Sequence, residues 1–168
     1  MALVIEDGSI VANANSFVTV AEIRAYALAR GITVSATDSE VEPFAIKAMD
    51  FIESKEGQFQ GSRVSAAQTL PFPRTGVYIY GNLVPDTVIP NAAKRAQLQL
   101  ALDSSQGVDL MPTVSGAAVK REKVGPLETE YEVSATSGYN GQPDLQAANS
   151  WLDLLYGTGG FTLRTVRV

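Results

Sequence analysis

Clustered carboxylates are the first groups in this sequence that could carry out chemistry. Glu40 lies two positions before Glu42, and Glu128, Glu130 and Glu132 alternate along a β-prone stretch. Paired carboxylates bind metals that prefer oxygen ligands, and they serve as the acid and base of glycoside hydrolysis. Acidic residues in the first turn of a helix, or on the solvent side of a strand, show the same spacing. We therefore expect neither a metal site nor a catalytic site at these residues.

The sequence lacks two residue types on which many enzymes depend. Its 168 residues include no cysteine and no histidine. This excludes disulfides, thiolate nucleophiles, cysteine-ligated zinc and the usual side-chain base near neutral pH. Any enzyme built on this chain would have to use carboxylates, lysine or tyrosine. The sequence accordingly predicts a protein that is not an enzyme and that uses no cofactor.

A glycine-rich run, Gly157-Thr158-Gly159-Gly160, has the composition of a phosphate-binding loop. Such a loop follows a strand, and its last glycine precedes a lysine and a hydroxyl residue that contact phosphate and magnesium. Here the run follows a helical pattern, and no lysine with a hydroxyl neighbour comes after it. We interpret the run as a hinge.

Four basic residues are the candidate DNA-facing groups: Arg63, Arg74, Lys94 and Arg95. Tyr78 and Tyr80 fall between them in the sequence, and proteins that bind single strands combine a basic groove with aromatic stacking. The formal net charge of -5 argues against this interpretation, because an acidic protein repels a phosphate backbone. Two interpretations stay open, a nucleic-acid surface and a set of local ion pairs.

Helical signals account for most of the elements that would position these groups. A capping box at Thr19 and Glu22 opens one helix, and an apolar stripe at helical spacing indicates a second. Pro90 opens the strongest helical pattern, in which Ala93, Ala96 and Leu100 form the inward stripe. Helices are expected at about 19–30, 40–55 and 89–102, with a short fourth helix after Asp144.

The remaining segments favour turns and β-structure. Glycine and proline interrupt residues 57–88 too often for a long helix, and residues 75–82 predict a short hairpin or an ordered loop. From Ala117 to Val133 the pattern alternates around a Gly125-Pro126 turn, which predicts a β-hairpin with basic side chains opposite acidic ones. The predicted fold class is mainly α, a small helical bundle of about four helices with a β-hairpin and an extended C-terminal arm.

The predicted organisation is one helical domain over residues 1–156 and a hinge with a docking tail over residues 157–168. The tail is β-prone and has no obvious partner strand within the chain, so we expect it to pair with another protein. The predicted docking residues are Phe161, Leu163, Arg164, Val166, Arg167 and Val168. The predicted subunit-interface residues, on the hairpin, are Lys120, Lys123, Glu128, Glu130 and Tyr131.

Composition excludes two further classes of protein. Apolar residues make up 45% of the chain and charged residues 18%, which is too apolar for a disordered protein. No apolar run reaches the roughly 18 residues that a membrane span requires. The first residues have no basic region before an apolar one, so we expect no secretory signal in them. We expect synthesis in the cytoplasm and no membrane partner.

Five segments together resemble one known family. They are Glu6–Val18, Ala48–Ile52, Gly61–Val77, Val88–Ala96 and Val119–Leu127. The most specific of them is the run RVSAAQTLPFPRTG at residues 63–76. The sequence resembles, over residues 1–133, the small head-to-tail adaptor (connector) proteins of tailed phages. The same group is also labelled DnaT-like single-stranded-DNA-binding proteins.

The two labels imply different functions. The adaptor label implies a structural virion protein that forms a homo-oligomeric, twelvefold ring between the portal protein and a neck, stopper or tail-completion protein. Double-stranded DNA would pass through this ring without sequence specificity. The other label implies a replication accessory protein that binds single-stranded DNA.

The sequence features favour the adaptor label. A predicted hairpin, a predicted docking tail and a negative net charge suit a ring subunit that lets DNA slide past. No basic aromatic groove is evident in the sequence alone. We therefore expect an adaptor located in the virion at the head-tail interface, with single-stranded-DNA binding as the alternative.

Overall fold

Helix α3 (Asn91–Ser105) forms the centre of the fold, and the other helices pack around it. These are α1 (Val20–Leu28), α2 (Asp38–Ser54) and α4 (Gln146–Leu152). A single 3₁₀ turn (Glu56–Gln58) follows α2. The computed structural model describes residues 2–112, 121–124, 127–130, 137–138, 142–143 and 145–157.

The predicted capping box is present at the start of α1. The Glu22 backbone N–H donates to Thr19 Oγ1 at 3.2 Å, and the Thr19 backbone N–H donates to Glu22 Oε2 at 2.7 Å. Two amides that the helix cannot satisfy internally are thereby paired. Gly31, at φ 72°, follows the helix in the left-handed conformation that glycine adopts without strain. The predicted helix at 19–30 is therefore confirmed.

The α2–α3 packing forms most of the apolar core. Helix α2 begins at Asp38, two residues before the predicted start, and buries the predicted stripe that contains Val41, Ala45, Ala48 and Ile52. Small side chains on α3 let the two helices approach closely, because little volume separates their backbones. The predicted inward stripe of Ala93, Ala96 and Leu100 is fully buried.

One polar side chain is buried inside this packing and joins three segments. Gln97 of α3 accepts a hydrogen bond from the Phe17 backbone N–H at 2.8 Å. Its amide nitrogen donates to Ser16 Oγ at 2.9 Å and to the Ala45 carbonyl at 3.0 Å. Because these buried hydrogen bonds join α3 to Ser16, Phe17 and Ala45, Gln97 holds the N-terminal segment against α2 and α3.

Short antiparallel strand pairs occupy much of the rest of the described chain. β1 (Ser62–Arg63) pairs with β2 (Arg74–Thr75), and β3 (Tyr78–Ile79) pairs with β4 (Asn82–Leu83). β5 (Arg121–Val124) pairs with β6 (Leu127–Glu130), and β7 (Ser137–Gly138) pairs with β8 (Gln142–Pro143). The β5–β6 pair lies within the range predicted for the hairpin, and its register sets Lys123 opposite Glu128.

The predicted fold class, a mainly α-helical bundle, is wrong. The described residues combine four α-helices with small antiparallel pairs, which makes the fold mixed α and β. Glycines at φ 74° to 78° (Gly61, Gly76 and Gly81) make the tight turns that bring the short strands together. A strand of two residues is too short to show an alternating pattern, so β1 and β2 were not predicted, whereas β3 and β4 form a hairpin where a short hairpin or an ordered loop was predicted.

None of the helices in the described ranges is long and apolar enough to cross a bilayer.

Candidate nucleic-acid interface

Two of the four predicted DNA-facing residues belong to an internal ion-pair cluster around Glu56. Arg74 is only 8% exposed, and its guanidinium donates to the Gln60 carbonyl at 3.0 Å and the Gly61 carbonyl at 2.9 Å. A third donation reaches Glu56 Oε1 at 3.3 Å. The Arg63 guanidinium donates to both Glu56 carboxylate oxygens, at 2.5 and 2.6 Å. The structure thus places Arg74 inside the protein and commits both guanidinium groups to protein partners.

The run at residues 63–76, the most specific part of the family resemblance, is a loop held by its own polar side chains. Gln68 is buried, and its Oε1 accepts from the Val64 and Ser65 backbone N–H groups at 3.0 and 3.1 Å. Its Nε2 donates to the Leu70 and Pro73 carbonyls at 2.9 and 3.0 Å. These backbone groups are not paired within a helix or a sheet. The Gln68 side chain supplies their hydrogen-bond partners instead.

The Glu56 cluster should make stability depend on pH. A hydrogen bond from Arg63, together with the charges of Arg63 and Arg74, lowers the pKa of Glu56 from its ordinary value of 4.5 despite some burial. A carboxyl whose pKa is lower in the folded state stabilises the fold above its unfolded pKa, and this contribution is lost as pH falls.

We expect Glu56→Gln to be less stable than the natural protein at pH 7, and we expect the difference to shrink as pH falls below about 4.5. Urea unfolding of both proteins across this pH range measures the difference. A gap that stays constant with pH would show that the ionised Glu56 does not stabilise the loop.

Arg95, the third predicted residue, lines a groove together with the exposed ring of Tyr80 and the partly exposed ring of Trp151. We call it the Trp151 groove. Its volume is about 250 Å³, and it lies between the β3–β4 hairpin, the first turns of α3 and the C-terminal end of α4. It is lined by Ile79, Tyr80, Asn91, Ala92, Arg95, Trp151 and Leu154. The structure therefore brings together a cation and two aromatic rings that are far apart in the sequence.

The Arg95 guanidinium lies over the Trp151 ring, with its carbon 4.7 Å from the ring centroid. Such a cation–π contact contributes about 0.5–1 kcal/mol at an exposed site. Within the described part of the chain, Arg95 makes no hydrogen bond and no ion pair. Its N–H groups are therefore available to a phosphate or a base, in contrast to those of Arg63 and Arg74.

Tyr80 stands at the tip of the β3–β4 hairpin with 81% of its surface exposed. Its backbone is in the left-handed region at φ 52°, and Gly81 follows at φ 78°. A two-residue hairpin turn with both φ values positive favours asparagine or aspartate followed by glycine. A bulky aromatic residue there is strained, and strained residues concentrate at functional sites. The hairpin therefore displays an aromatic ring at a conformational cost.

Gln60 fixes the two walls of the groove relative to each other. Its Nε2 donates to the Tyr78 carbonyl at 2.9 Å and to the Leu154 carbonyl at 3.1 Å. Its Oε1 accepts from the Tyr78 backbone N–H at 2.9 Å. Because one side chain bridges the β3–β4 hairpin and the segment that follows α4, Gln60 holds the elements that carry Tyr80 and Trp151 together.

Lys94, the fourth predicted residue, is half-buried on α3 and does not line the groove. It faces the N-terminal loop. There the pKa of Asp7 is lowered, mainly by hydrogen bonds from Ser9, with a smaller contribution from the charge of Lys94. The four predicted DNA-facing residues therefore occupy three separate environments.

The other predicted site residues are placed only in part. The docking residues Phe161 to Val168 lie outside the described residues, as do Lys120 and Tyr131 on the predicted interface. Lys123, Glu128 and Glu130 have a backbone position in β5 and β6. The described residues contain no group of three or more acidic side chains that could hold a metal ion.

Comparison with known proteins decides between the two family labels. The chain matches, over residues 1–168, the family model described as "Putative DnaT-like ssDNA binding protein". The chain belongs to this DnaT-like family. A search of curated proteins and a search of solved structures each found no match.

The DnaT-like assignment corrects the expected function. The head-to-tail adaptor function, and the connector and portal-binding properties expected with it, are wrong, because the family that matches is the DnaT-like one. Nothing supports the portal and neck proteins as partners. The absence of enzymatic activity and the expected location stay predictions.

Sequence reasoning missed Trp151 as a site residue. The helical spacing of Leu145, Ala148 and Trp151 is typical of a buried helix face, whereas the structure leaves Trp151 partly exposed in the groove of this DnaT-like protein. One signal was present at the hairpin, where the sequence Tyr80-Gly81 carries an aromatic residue in place of the asparagine that such a turn favours.

Proposed function

We propose that this DnaT-like protein is a non-enzymatic protein that binds single-stranded DNA, and that the Trp151 groove is its binding site. The family description supports the class of ligand. The observation that carries the site is the placement of Tyr80, Arg95 and Trp151 around one groove. Stacking rings beside an unpaired cation are the groups with which proteins hold single strands.

Stacking explains how an acidic protein could bind a polyanion. Every base has a π-face, and stacking on an aromatic side chain contributes about 1–3 kcal/mol per base without sequence preference. Tyr80 is available for this contact, and a base can also stack on a guanidinium plane such as that of Arg95. The net charge of -5 opposes tight phosphate binding, so stacking supplies more of the affinity than charge does.

Salt dependence should be shallow for the same reason. Each phosphate neutralised on a single strand contributes about -0.7 to the slope of log affinity against log salt. With Arg95 as the one groove cation among the described lining residues, a slope of about -0.7 is expected.

Intrinsic fluorescence provides a direct test, because Trp151 is the single tryptophan of the chain. Titration with an oligothymidylate of about ten nucleotides should quench this fluorescence to saturation. Arg95→Ala should weaken binding by about fivefold to tenfold, because it removes the cation beside the ring.

Lys47→Ala is the matched control for this titration. Lys47 is exposed on α2, does not line the groove, and its loss changes the net charge by the same amount. Its affinity should stay within about twofold of the natural protein. Equal weakening by both variants would mean that general charge, and not the groove, attracts the strand. No binding by the natural protein would refute the proposed function.

A further inference from the structure

The exposed face of α3 continues from the Trp151 groove toward α1. Asn91, Arg95, Gln99 and Asp103 follow one another at a spacing of four residues, and none of them is buried. Side chains at this spacing lie one above the other on the same face of a helix. This stripe, which we call the α3 track, begins in the groove and ends about 18 Å further along the helix axis.

A second pair of an aromatic ring and an arginine borders the α3 track. The Arg30 guanidinium carbon lies 3.3 Å from the centroid of the Tyr26 ring, and Arg30 Nη1 donates to the Tyr26 carbonyl at 3.1 Å. The Tyr26 hydroxyl donates to Gln99 Oε1 at 3.0 Å, which attaches this pair to the middle of the track. Arg30 is exposed at the end of α1.

The two aromatic–arginine pairs are linked through one face of α3. Tyr26 is hydrogen-bonded to Gln99, and Gln99 lies one helical turn from Arg95, whose guanidinium lies over Trp151. The two pairs therefore border neighbouring positions of the α3 track. The order along the face is Tyr80, Trp151 with Arg95, then Tyr26 with Arg30.

We propose that the strand leaves the Trp151 groove along the α3 track and makes a second set of contacts with Tyr26 and Arg30. This inference rests on the proposed function and adds a path and a length to it. At about 3.4 Å per stacked nucleotide, a track of about 18 Å holds about four or five nucleotides. Asp103 marks the far end, because its carboxylate repels the next phosphate.

The composition of the track favours a nucleic acid over a protein partner. The groups along it are amides, guanidinium groups, aromatic rings and, at the far end, the Asp103 carboxylate, whereas the core of a protein interface is depleted in charge. Asn91 adds an amide that can bond to base edges, whereas the Gln99 amide is held in place by the Tyr26 hydroxyl and by Asp103 Oδ1. Two ring–guanidinium pairs in series suit a ligand with regularly spaced π-faces and anions, and a single strand has this repeat.

An oligonucleotide length series tests the path. Oligothymidylates of about two to about eight nucleotides are titrated against the natural protein, Arg30→Ala, Arg95→Ala and Lys47→Ala. The affinity of the natural protein should rise with length up to about five nucleotides and then level off. Arg30→Ala should bind the shortest oligomer normally and should bind those of about five nucleotides threefold to fivefold more weakly.

The outcomes test the α3 track separately from the Trp151 groove. If Arg30→Ala matches the natural protein at every length while Arg95→Ala binds all of them weakly, the groove is correct and the track is wrong. If the natural protein binds none of the oligomers, the proposed function itself fails, and the track fails with it. Thermal unfolding followed by circular dichroism shows that each variant is folded, which is expected because Arg30, Arg95 and Lys47 are exposed.

Discussion

Replacing Arg74 with methionine should lower the free energy of unfolding by about 3–5 kcal/mol. The buried guanidinium holds the carbonyls of Gln60 and Gly61 and approaches Glu56. Methionine keeps much of the apolar volume but leaves those carbonyls without a donor, and unsatisfied buried groups are costly. Urea unfolding followed by circular dichroism measures the loss.

Arg63→Met is the matched control for this change. Arg63 is also paired with Glu56, but 35% of its side chain is exposed. Water can replace part of what is lost there, so the expected cost is about 1 kcal/mol. Equal costs for the two variants would contradict the structural assignment of Arg74. They would reopen one of the two sequence-based interpretations, the one in which both arginines face DNA.

Replacing Tyr80 with asparagine should change stability and binding in opposite directions. Asparagine tolerates the left-handed backbone at φ 52° better than tyrosine does, so stability should rise by about 0.5–1 kcal/mol. Loss of the ring should weaken single-strand binding by about 1–3 kcal/mol, which is about fivefold to 150-fold in affinity. Thermal unfolding and Trp151 fluorescence titration measure the two effects.

Tyr80→Phe distinguishes the ring from the hydroxyl in the same experiments. Phenylalanine keeps the stacking surface and the strained backbone, so both binding and stability should stay near those of the natural protein. If Tyr80→Asn instead binds as tightly as the natural protein, the exposed ring is not part of the site. The strain at the hairpin tip would then lack a functional explanation.

The run at residues 63–76 is the most specific part of the family resemblance. Its structure explains why the resemblance alone did not distinguish the two functions. Residues 63–76 build a loop in which Gln68 and Arg74 satisfy the backbone. These residues maintain the fold, and a fold can carry unrelated functions. The resemblance therefore indicated a family without indicating what its members bind. The functional argument rests instead on the match to the DnaT-like family and on the Trp151 groove.

The sequence by itself was sufficient to predict the helices and to exclude thiolate and imidazole chemistry. Capping at Thr19 and apolar spacing around Ala45 and Leu100 act within a few residues, and a helix repeats every 3.6 residues, so local patterns predict it. The absence of cysteine and histidine needs no structure to exclude thiolate and imidazole chemistry.

Only the tertiary structure decided which charged and aromatic groups meet. Arg74 and Arg95 look alike in the sequence, yet one is enclosed by backbone carbonyls near Glu56 and the other lies over Trp151 on the surface. The difference arises because the burial of a side chain depends on which distant segments of the chain pack against it. A local hydrophobic pattern does not show this packing. The β1–β2 pair escaped prediction for a related reason, since its pairing depends on turns and on long-range contact more than on the two residues of each strand.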